Sequence, residues 1–421
     1  VFYELGLAGR SRRFLDLLGF AWGHHSRRPA DKFLADGEHV WVSSAFGVGC
    51  FTVDGREIWS ASGAKPAKYL SSDAARQAGL RTRGLNDEHL SVWSAFSDHV
   101  EGQISLAYNN LYRIEGSWFT FPRRIRVKRK GGGGNRYVSI RDGSRLAAYD
   151  SGTGRRLWHV GGGDEDMEGI LTGVRFLNAP VPVGGNILVC FEKKDAMHLA
   201  ALDPEDGTIE WTVYLCSYEQ ALGPPEGPVD IEVDGPMLFI ATGKGALFSV
   251  DGLTGAIEWA TTYDRVHDKL AATGLGMDPL PPRPVTWEEN TVYPAGQHLL
   301  LMPYDAPNVL SFDRMSGELI YKIEAENALY PLGISDRTLI IAGEDFIQAH
   351  QLETGETIWR EDIPPTTGRG LLTDRGILLP IQDEVRVMSP ENGQITDRFA
   401  VAHAEQTPVG NLHAHDGRLY A

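Results

Sequence analysis

The sequence predicts an all-β chain, a β-propeller assembled from four-stranded antiparallel sheets. Three observations predict this fold class. A turn-and-strand pattern recurs along the 421 residues, 48 glycines supply tight turns, and 10 tryptophans supply large apolar rings. Short strands joined by glycine-containing turns, with one aromatic residue per unit, are typical of propellers.

The repeat consists of an Asp, three residues, a Gly, three residues and an aromatic residue. The Asp side chain can accept hydrogen bonds from the backbone amides just ahead of it, which closes a turn. The Gly takes the positive φ that this turn needs, and the aromatic ring packs between neighbouring sheets. The copies are a shortened one with Asp54 and Trp59, then Asp150, Gly154 and Trp158; Asp203, Gly207 and Trp211; Asp251, Gly255 and Trp259; Asp313, Gly317 and Tyr321; Gln351, Gly355 and Trp359; and Ser389, Gly393 and Asp397.

The spacing of the aromatic positions sets the size of each unit. From Trp158 onward they lie 38 to 62 residues apart, which suits one four-stranded unit with loops of variable length. Trp59 and Trp158 lie 99 residues apart, so we expect a degenerate unit or an insertion around residues 60–135. Because residues 407–421 begin a further copy, we expect eight units over 33–421, with seven as the alternative.

The two ends of the chain lie outside this regular pattern. Residues 1–32 predict an irregular segment with a short helix. The chain begins at Val1 and ends within a strand-like stretch at Ala421. We therefore expect a longer product that is trimmed at both ends, so that targeting signals would lie outside this sequence.

The Asp–Gly–Trp pattern resembles the tryptophan-docking repeat of the pyrroloquinoline-quinone (PQQ) type β-propellers, from about residue 33 to the end. The resemblance implies either a quinoprotein dehydrogenase or a cofactor-free propeller, such as the lipoprotein that helps to assemble outer-membrane proteins. The dehydrogenases of this family hold PQQ and Ca²⁺ through Glu, Asn and Asp oxygens, and an Asp acts as the base. No single Asp of this sequence matches that base.

The three cysteines depart from the pattern of the alcohol-oxidising family members, which have a disulfide between adjacent cysteines. Cys50, Cys190 and Cys216 are widely separated in the sequence, so that feature is absent. We expect three free, buried thiols, with one disulfide as the alternative.

The charge of the chain restricts its partners. With 40 Lys and Arg against 56 Asp and Glu, the net charge is −16, which repels nucleic acid and anionic membranes. No apolar run reaches the roughly 18 residues of a membrane span. One basic run opposes this trend, and we interpret it as a solvated hairpin or loop, with a docking patch for an acidic partner as the alternative. Its cations are Arg123, Arg124, Arg126, Lys128, Arg129 and Lys130.

Other polar clusters give weaker signals. Asp164, Glu165, Asp166 and Glu168 have the oxygen ligands that Ca²⁺ prefers but not the spacing of a calcium loop. His413, His415 and Asp416 have the donor atoms of a transition-metal site. We interpret both as solvated loops or strand ends, and we assign no catalytic or metal-binding residue. The Pro-rich stretches 222–228 and 274–284 predict rim loops, which commonly carry binding functions.

The sequence thus favours a non-catalytic propeller scaffold for protein–protein interaction, without a cofactor. Its location in the periplasm or cell envelope of a bacterium follows from the family resemblance alone. The first alternative is a quinoprotein dehydrogenase that depends on PQQ and Ca²⁺. The second is a propeller domain of a larger multidomain protein.

Overall fold

The computed structural model describes residues 33–44, 47–62, 100, 102–116, 123–128, 135–140, 143–162, 169–194, 196–217, 229–265, 287, 290–400, 409–415 and 418–420. Within these ranges the regular structure is entirely β, as predicted. The described residues up to 217 form one compact unit and those from 229 onward form a second.

The first unit contains two four-stranded antiparallel sheets, one five-stranded antiparallel sheet and one inserted hairpin. Sheet 1 comprises β1 (Phe33–Ala35), β2 (His39–Ser44), β3 (Gly47–Thr52) and β4 (Glu57–Ser62). Sheet 2 begins with β5 (Ile104–Ala107) and β6 (Asn110–Glu115); the separate hairpin β7 (Arg123–Lys128) and β8 (Asn135–Ile140) follows, and β9 (Arg145–Asp150) and β10 (Arg156–Gly161) complete sheet 2. In sheet 3, β11 (Arg175–Phe176) and β12 (Val181–Val183) both pair with β13 (Asn186–Lys193), and β14 (Ala196–Leu202) and β15 (Ile209–Ser217) follow.

The second unit contains four further sheets with consecutive strand order. Sheet 4 comprises β16 (Asp230–Asp234), β17 (Met237–Ala241), β18 (Ala246–Asp251) and β19 (Ile257–Thr262). Sheet 5 comprises β20 (Thr291–Ala295), β21 (His298–Met302), β22 (Asn308–Asp313) and β23 (Leu319–Glu324). Sheet 6 comprises β24 (Ala328–Ser335), β25 (Thr338–Gly343), β26 (Phe346–Gln351) and β27 (Thr357–Asp362). Sheet 7 comprises β28 (Leu371–Thr373), β29 (Gly376–Ile381), β30 (Glu384–Met388) and β31 (Ile395–Ala400), and the hairpin β32 (His413–His415) and β33 (Arg418–Tyr420) follows it.

Burial explains the sequence character of each strand. The two central strands of a sheet are covered on both faces and carry nearly continuous apolar runs, as in β13 and β18. The fourth strand is half-exposed, and burial alternates along β15. Within a unit, side chains of neighbouring sheets form a shared core, such as Phe239 of sheet 4 with Leu299 of sheet 5. Removal of this apolar surface from water favours the stacked arrangement.

A β-bulge recurs at the same place in all seven described sheets. In sheet 5, Ser311 pairs with Tyr321 and Phe312 pairs with Leu319, so Ile320 has no partner residue on β22. A bulge re-aims the side chain of the extra residue. The equivalent extra residues are Ile58, Leu157, Glu210, Glu258, Ile320, Ile358 and Thr396.

The long interval between Trp59 and Trp158 contains β5 and β6 of sheet 2 together with the inserted hairpin β7–β8. Among the described residues, a complete sheet therefore follows sheet 1 directly. The hairpin β32–β33 lies where the sequence predicts the start of another unit. Residues 1–32 lie outside the described part of the chain.

Candidate functional site

Six turns, which connect the third and fourth strands of sheets 2 to 7, share one set of backbone hydrogen bonds. The first residue of each turn donates its N–H to the carbonyl five residues later, at 2.7–2.9 Å. Its carbonyl accepts from the N–H of the Gly four residues later, at 2.8–2.9 Å. These glycines have φ values between 70° and 76°. The first residues are Asp150, Asp203, Asp251, Asp313, Gln351 and Ser389.

The Asp side chains strengthen these turns without being essential to them. The Oδ1 of Asp313 accepts hydrogen bonds from the backbone N–H of Met315 at 3.0 Å and of Ser316 at 2.8 Å. The bond from Ser316 is the main cause that lowers the pKa of Asp313 below the ordinary Asp value. Gln351 and Ser389 open turns with the same backbone bonds, so the carboxylate adds to a turn that the backbone already closes.

The aromatic residue of each sheet packs on the turn of the next sheet within a unit. A Cβ atom at Gly154 would overlap the Trp59 ring, and Trp59 Nε1 donates to the Ser151 carbonyl at 2.9 Å. Trp158 repeats the arrangement on sheet 3, where a Cβ at Gly207 would lie 2.8 Å from its ring. The residue type at this position of the turn is therefore set by close contact as well as by φ.

The second unit repeats this docking three times. Trp259 Nε1 donates to the Arg314 carbonyl at 3.1 Å, and Trp359 Nε1 donates to the Pro390 carbonyl at 3.0 Å. Tyr321 keeps the same contact because its hydroxyl donates to the Leu352 carbonyl. The rings of these residues would lie 2.6–2.8 Å from a Cβ atom at the facing glycines Gly317, Gly355 and Gly393.

Three repeat positions differ from the common arrangement. Thr52, and not Asp54, opens the shortened turn, because its carbonyl accepts from Gly55 N–H at 2.8 Å; the Asp54 carboxylate accepts from the Thr52 hydroxyl. Trp211 is the last repeat aromatic of the first unit, and its buried Nε1 has no hydrogen-bond partner in the described part of the chain. Asp397 stands at the aromatic position of sheet 7 and is exposed.

A buried polar network joins sheets 1 and 2. The Arg113 guanidinium donates to Ser43 Oγ at 3.0 Å and to Glu115 Oε1 at 3.2 Å, and the Tyr149 hydroxyl donates to the same carboxylate. Arg113 and Glu115 are only 2% and 3% exposed. Burial, reinforced by the Glu115 charge, raises the pKa of Tyr149 above the ordinary Tyr value. The Glu115 carboxylate pairs with the buried Arg113 charge, which avoids the cost of an isolated buried charge. The hydrogen bond from Arg113 to Ser43 links the two sheets.

The same two sheets border a cleft of about 350 Å³. Its walls include Asp36, His39 and Trp41 of sheet 1, and Tyr108 and Asn109 of the β5–β6 turn. Both residues of that turn have positive φ, 52° and 59°, as a tight two-residue hairpin turn requires. The His39 and Trp41 rings are 5.6 Å apart between centroids.

Two ionisable groups in the wall of this cleft have shifted pKa values. Burial alone would raise the pKa of Asp36, but hydrogen bonds from the backbone N–H of His39 and Glu38 lower it below the ordinary value. Burial, together with the Asp36 charge, raises the pKa of Cys50 to about 11. The Cys50 thiol is therefore neutral near pH 7 and is not an activated nucleophile.

Exposed apolar side chains cluster at the outer margin of sheet 5. Met315, in the turn before β23, is 83% exposed; Leu319 and Ile320, the first residues of β23, are 56% and 47% exposed. We call these three residues the rim patch. Ile320 is the bulge residue, and β23 ends the strand order of its sheet. The sequence repeat did not reveal this surface, although five of the six turns place an exposed residue at the position of Met315.

Several predicted candidates lie outside the described residues. These are the acidic cluster 164–168, the stretches 222–228 and 274–284, and Arg129, Lys130 and Asp416. His413 and His415 lie two residues apart on β32, and the other four cations of the basic run, at 123, 124, 126 and 128, lie on β7. Within the described part of the chain, no group of three or more His, Cys, Asp or Glu residues could hold a metal ion.

The structure describes all three cysteines. All three cysteines are free thiols; Cys50 and Cys190 are buried, as expected, but Cys216 is half-buried. The difference arises because Cys216 lies on β15, a fourth strand on which burial alternates.

The described part of the chain contains no helix that is long and apolar enough to cross a membrane.

Comparison with known proteins places this geometry among propellers. The family model described as "Outer membrane protein assembly factor BamB" matches residues 141–281. The structure of BamB from Moraxella catarrhalis is 15% identical, with 94% of this chain and 91% of that chain covered and a TM-score of 0.54. The search of curated proteins gave no significant match.

The structures of two dehydrogenases match as well. Quinohemoprotein alcohol dehydrogenase from Comamonas testosteroni is 11% identical, with 92% of this chain and 69% of that chain covered and a TM-score of 0.54. A europium-containing methanol dehydrogenase is 11% identical, with coverages of 92% and 81% and a TM-score of 0.51. At such identities the similarity shows the fold alone, and it confirms the predicted β-propeller.

Proposed function

Because the chain is a PQQ-like β-propeller, we propose that it acts as a non-catalytic scaffold for protein–protein contacts in a bacterial cell envelope. Proteins that share the propeller fold have many different functions, so a specific surface of this chain has to account for the proposed protein contacts. The rim patch of Met315, Leu319 and Ile320 is that surface. The match to an outer membrane protein assembly factor supports the proposed location.

The rim patch has the properties of a protein-binding surface. Its three apolar side chains are all exposed, and they lie in one turn and at the start of the strand that follows this turn. Exposed apolar patches mark interaction sites in soluble proteins, and the flexible Met side chain adapts to a partner's shape. The outer edge of β23 pairs with no other described strand, so an extended partner segment can add to it through backbone hydrogen bonds.

Site-specific photo-crosslinking in cells tests this proposal. A photoreactive amino acid at Met315 should give a discrete crosslinked protein band. The matched control is the same replacement at Glu391, which occupies the same turn position in sheet 7 and is also exposed. An Ile320→Lys variant should weaken the band at 315 because a charged group then faces the partner's apolar surface. Equal crosslinking at 315 and 391, or none at 315, would count against the scaffold.

A PQQ- and Ca²⁺-dependent dehydrogenase is the second candidate, since the structures of a methanol dehydrogenase and of a quinohemoprotein alcohol dehydrogenase match over 92% of this chain. Among the described residues, no group of three or more His, Cys, Asp or Glu side chains could hold Ca²⁺. Calorimetric titration with PQQ in the presence of Ca²⁺ separates the candidates. Saturable binding at micromolar concentration or below would replace the scaffold proposal, whereas no heat change from the folded protein would support it. Either candidate is compatible with a propeller domain inside a larger protein.

A further inference from the structure

The hairpin β7–β8 is an insertion between the two central strands of sheet 2, and it forms a two-stranded sheet of its own. Successive residues of a strand belong to opposite faces, and residues that pair directly in the backbone register share a face. One face of the hairpin therefore contains three cations and their cross-strand partners, and we call it the cationic face. The pairs are Arg124 with Ser139, Arg126 with Tyr137, and Lys128 with Asn135.

The opposite face of the hairpin has a different character. Ile125 pairs with Val138, and Val127 and Ile140 lie on the same face. Arg123 and Arg136 occupy the two ends of this face. The register thus gives one face three cations with polar partners and the other face four aliphatic residues with one cation at each end, which the sequence run alone did not show.

The charge of the hairpin contrasts with that of the remaining chain. Its two strands carry five cations and no acidic residue, so the net charge of −16 becomes −21 when the strands are left out. This acidic remainder repels a long polyanion such as duplex DNA or an anionic bilayer. A narrow acidic chain segment can approach the hairpin without covering the rest of the surface.

We propose that the cationic face binds an extended acidic segment of a partner protein, with Asp or Glu at alternate positions. Residues on one face of a strand repeat every ~7 Å, so alternate carboxylates of an extended segment match the row of Arg124, Arg126 and Lys128. Arginine adds bidentate hydrogen bonds to a carboxylate. The inference rests on the proposed scaffold function and names the chemistry of one partner.

Fluorescence anisotropy with designed peptides tests this inference. The probes are a labelled twelve-residue peptide with Glu at every second position and a peptide of the same composition with its Glu residues grouped together. The full chain should bind the alternating peptide more tightly than the grouped one. The R124E/R126E variant should bind about tenfold more weakly, because two favourable charge contacts become repulsive. The control R123E/R136E makes the same charge change on the other face and should lose less than about threefold.

The peptide-binding experiment and the crosslinking experiment at position 315 can fail independently of each other. Equal loss in both double variants would show attraction by overall charge and would overturn the inference. Tighter binding of a DNA duplex or of phosphatidylglycerol vesicles than of the alternating peptide would also overturn it. Melting transitions of both variants verify that the protein remains folded. If the peptide fails to bind while crosslinking at 315 succeeds, the inference falls and the scaffold proposal stands.

Discussion

The glycine of each repeat turn meets two separate demands at the residue scale. Its φ near 73° is a conformation that L side chains adopt only at a cost. Its missing Cβ also leaves room for the indole of the preceding sheet, as at Gly317 and Trp259. The sequence predicted the first demand from the turn and could not show the second, because the ring arrives from another sheet.

A pair of Gly→Ala variants separates the two demands. Gly296 also has positive φ, 63°, but a Cβ atom there would meet nothing within 4 Å. Gly296→Ala should therefore cost about 1–2 kcal/mol from backbone strain alone. Gly317→Ala should cost about 1–3 kcal/mol more, since its Cβ would lie 2.6 Å from the Trp259 ring. Chemical denaturation of both variants measures the difference, and equal losses would show that docking contributes little.

At the scale of elements, the turn is closed by its backbone and only reinforced by its side chain. Ser389 opens a turn with the same two backbone hydrogen bonds as Asp313. We therefore expect Asp313→Ser to lower the melting temperature by less than Gly317→Ala does. The reverse change, Gln351→Asp, should leave the melting temperature unchanged or raise it, because it adds a carboxylate acceptor for backbone amides. If Asp313→Ser lowered the melting temperature more than Gly317→Ala, the carboxylate would be the main stabilising group of the turn.

The elements themselves were predictable to different degrees. The spacing of Asp, Gly and aromatic residues marks the third and fourth strands of each sheet because that signal is local. The bulge at Ile320 was not predictable, since it appears only when β23 is paired with β22. The pairing of Arg113 with Ser43 depends on contact between two sheets. The rim patch was not predictable either, because its exposure depends on how β23 pairs with β22 and on which side chains the neighbouring sheets cover.

At the scale of the whole molecule, several acidic groups are buried in their protonated form. Burial raises the pKa of the Cys50 thiol to about 11, and it also raises those of Cys190, Tyr149 and Tyr263. In the unfolded chain these groups ionise near pH 9 for Cys and pH 10 for Tyr. A pKa that is higher in the folded state favours folding fully below the unfolded value and loses that effect as pH rises further.

Stability should therefore fall as pH rises from about 9 toward 11. Melting temperatures measured in this interval, and at pH 7 as a reference, check the prediction. A Cys50→Ala variant should be less stable at pH 7 but should lose less between pH 9 and 11, because one of the ionising groups is gone. A flat profile for the unmodified chain would contradict the assigned burial of these groups.

The direction of aromatic docking also affects how such a chain changes its length during evolution. Each sheet within a unit contributes one indole or phenol ring to the sheet after it, as Trp158 does on the turn of Gly207. Duplication of a gene segment that encodes one repeat would add one ring and one facing glycine together. The new copy would then match both neighbours without further mutation, so lineages can gain or lose whole repeats more easily than parts of one.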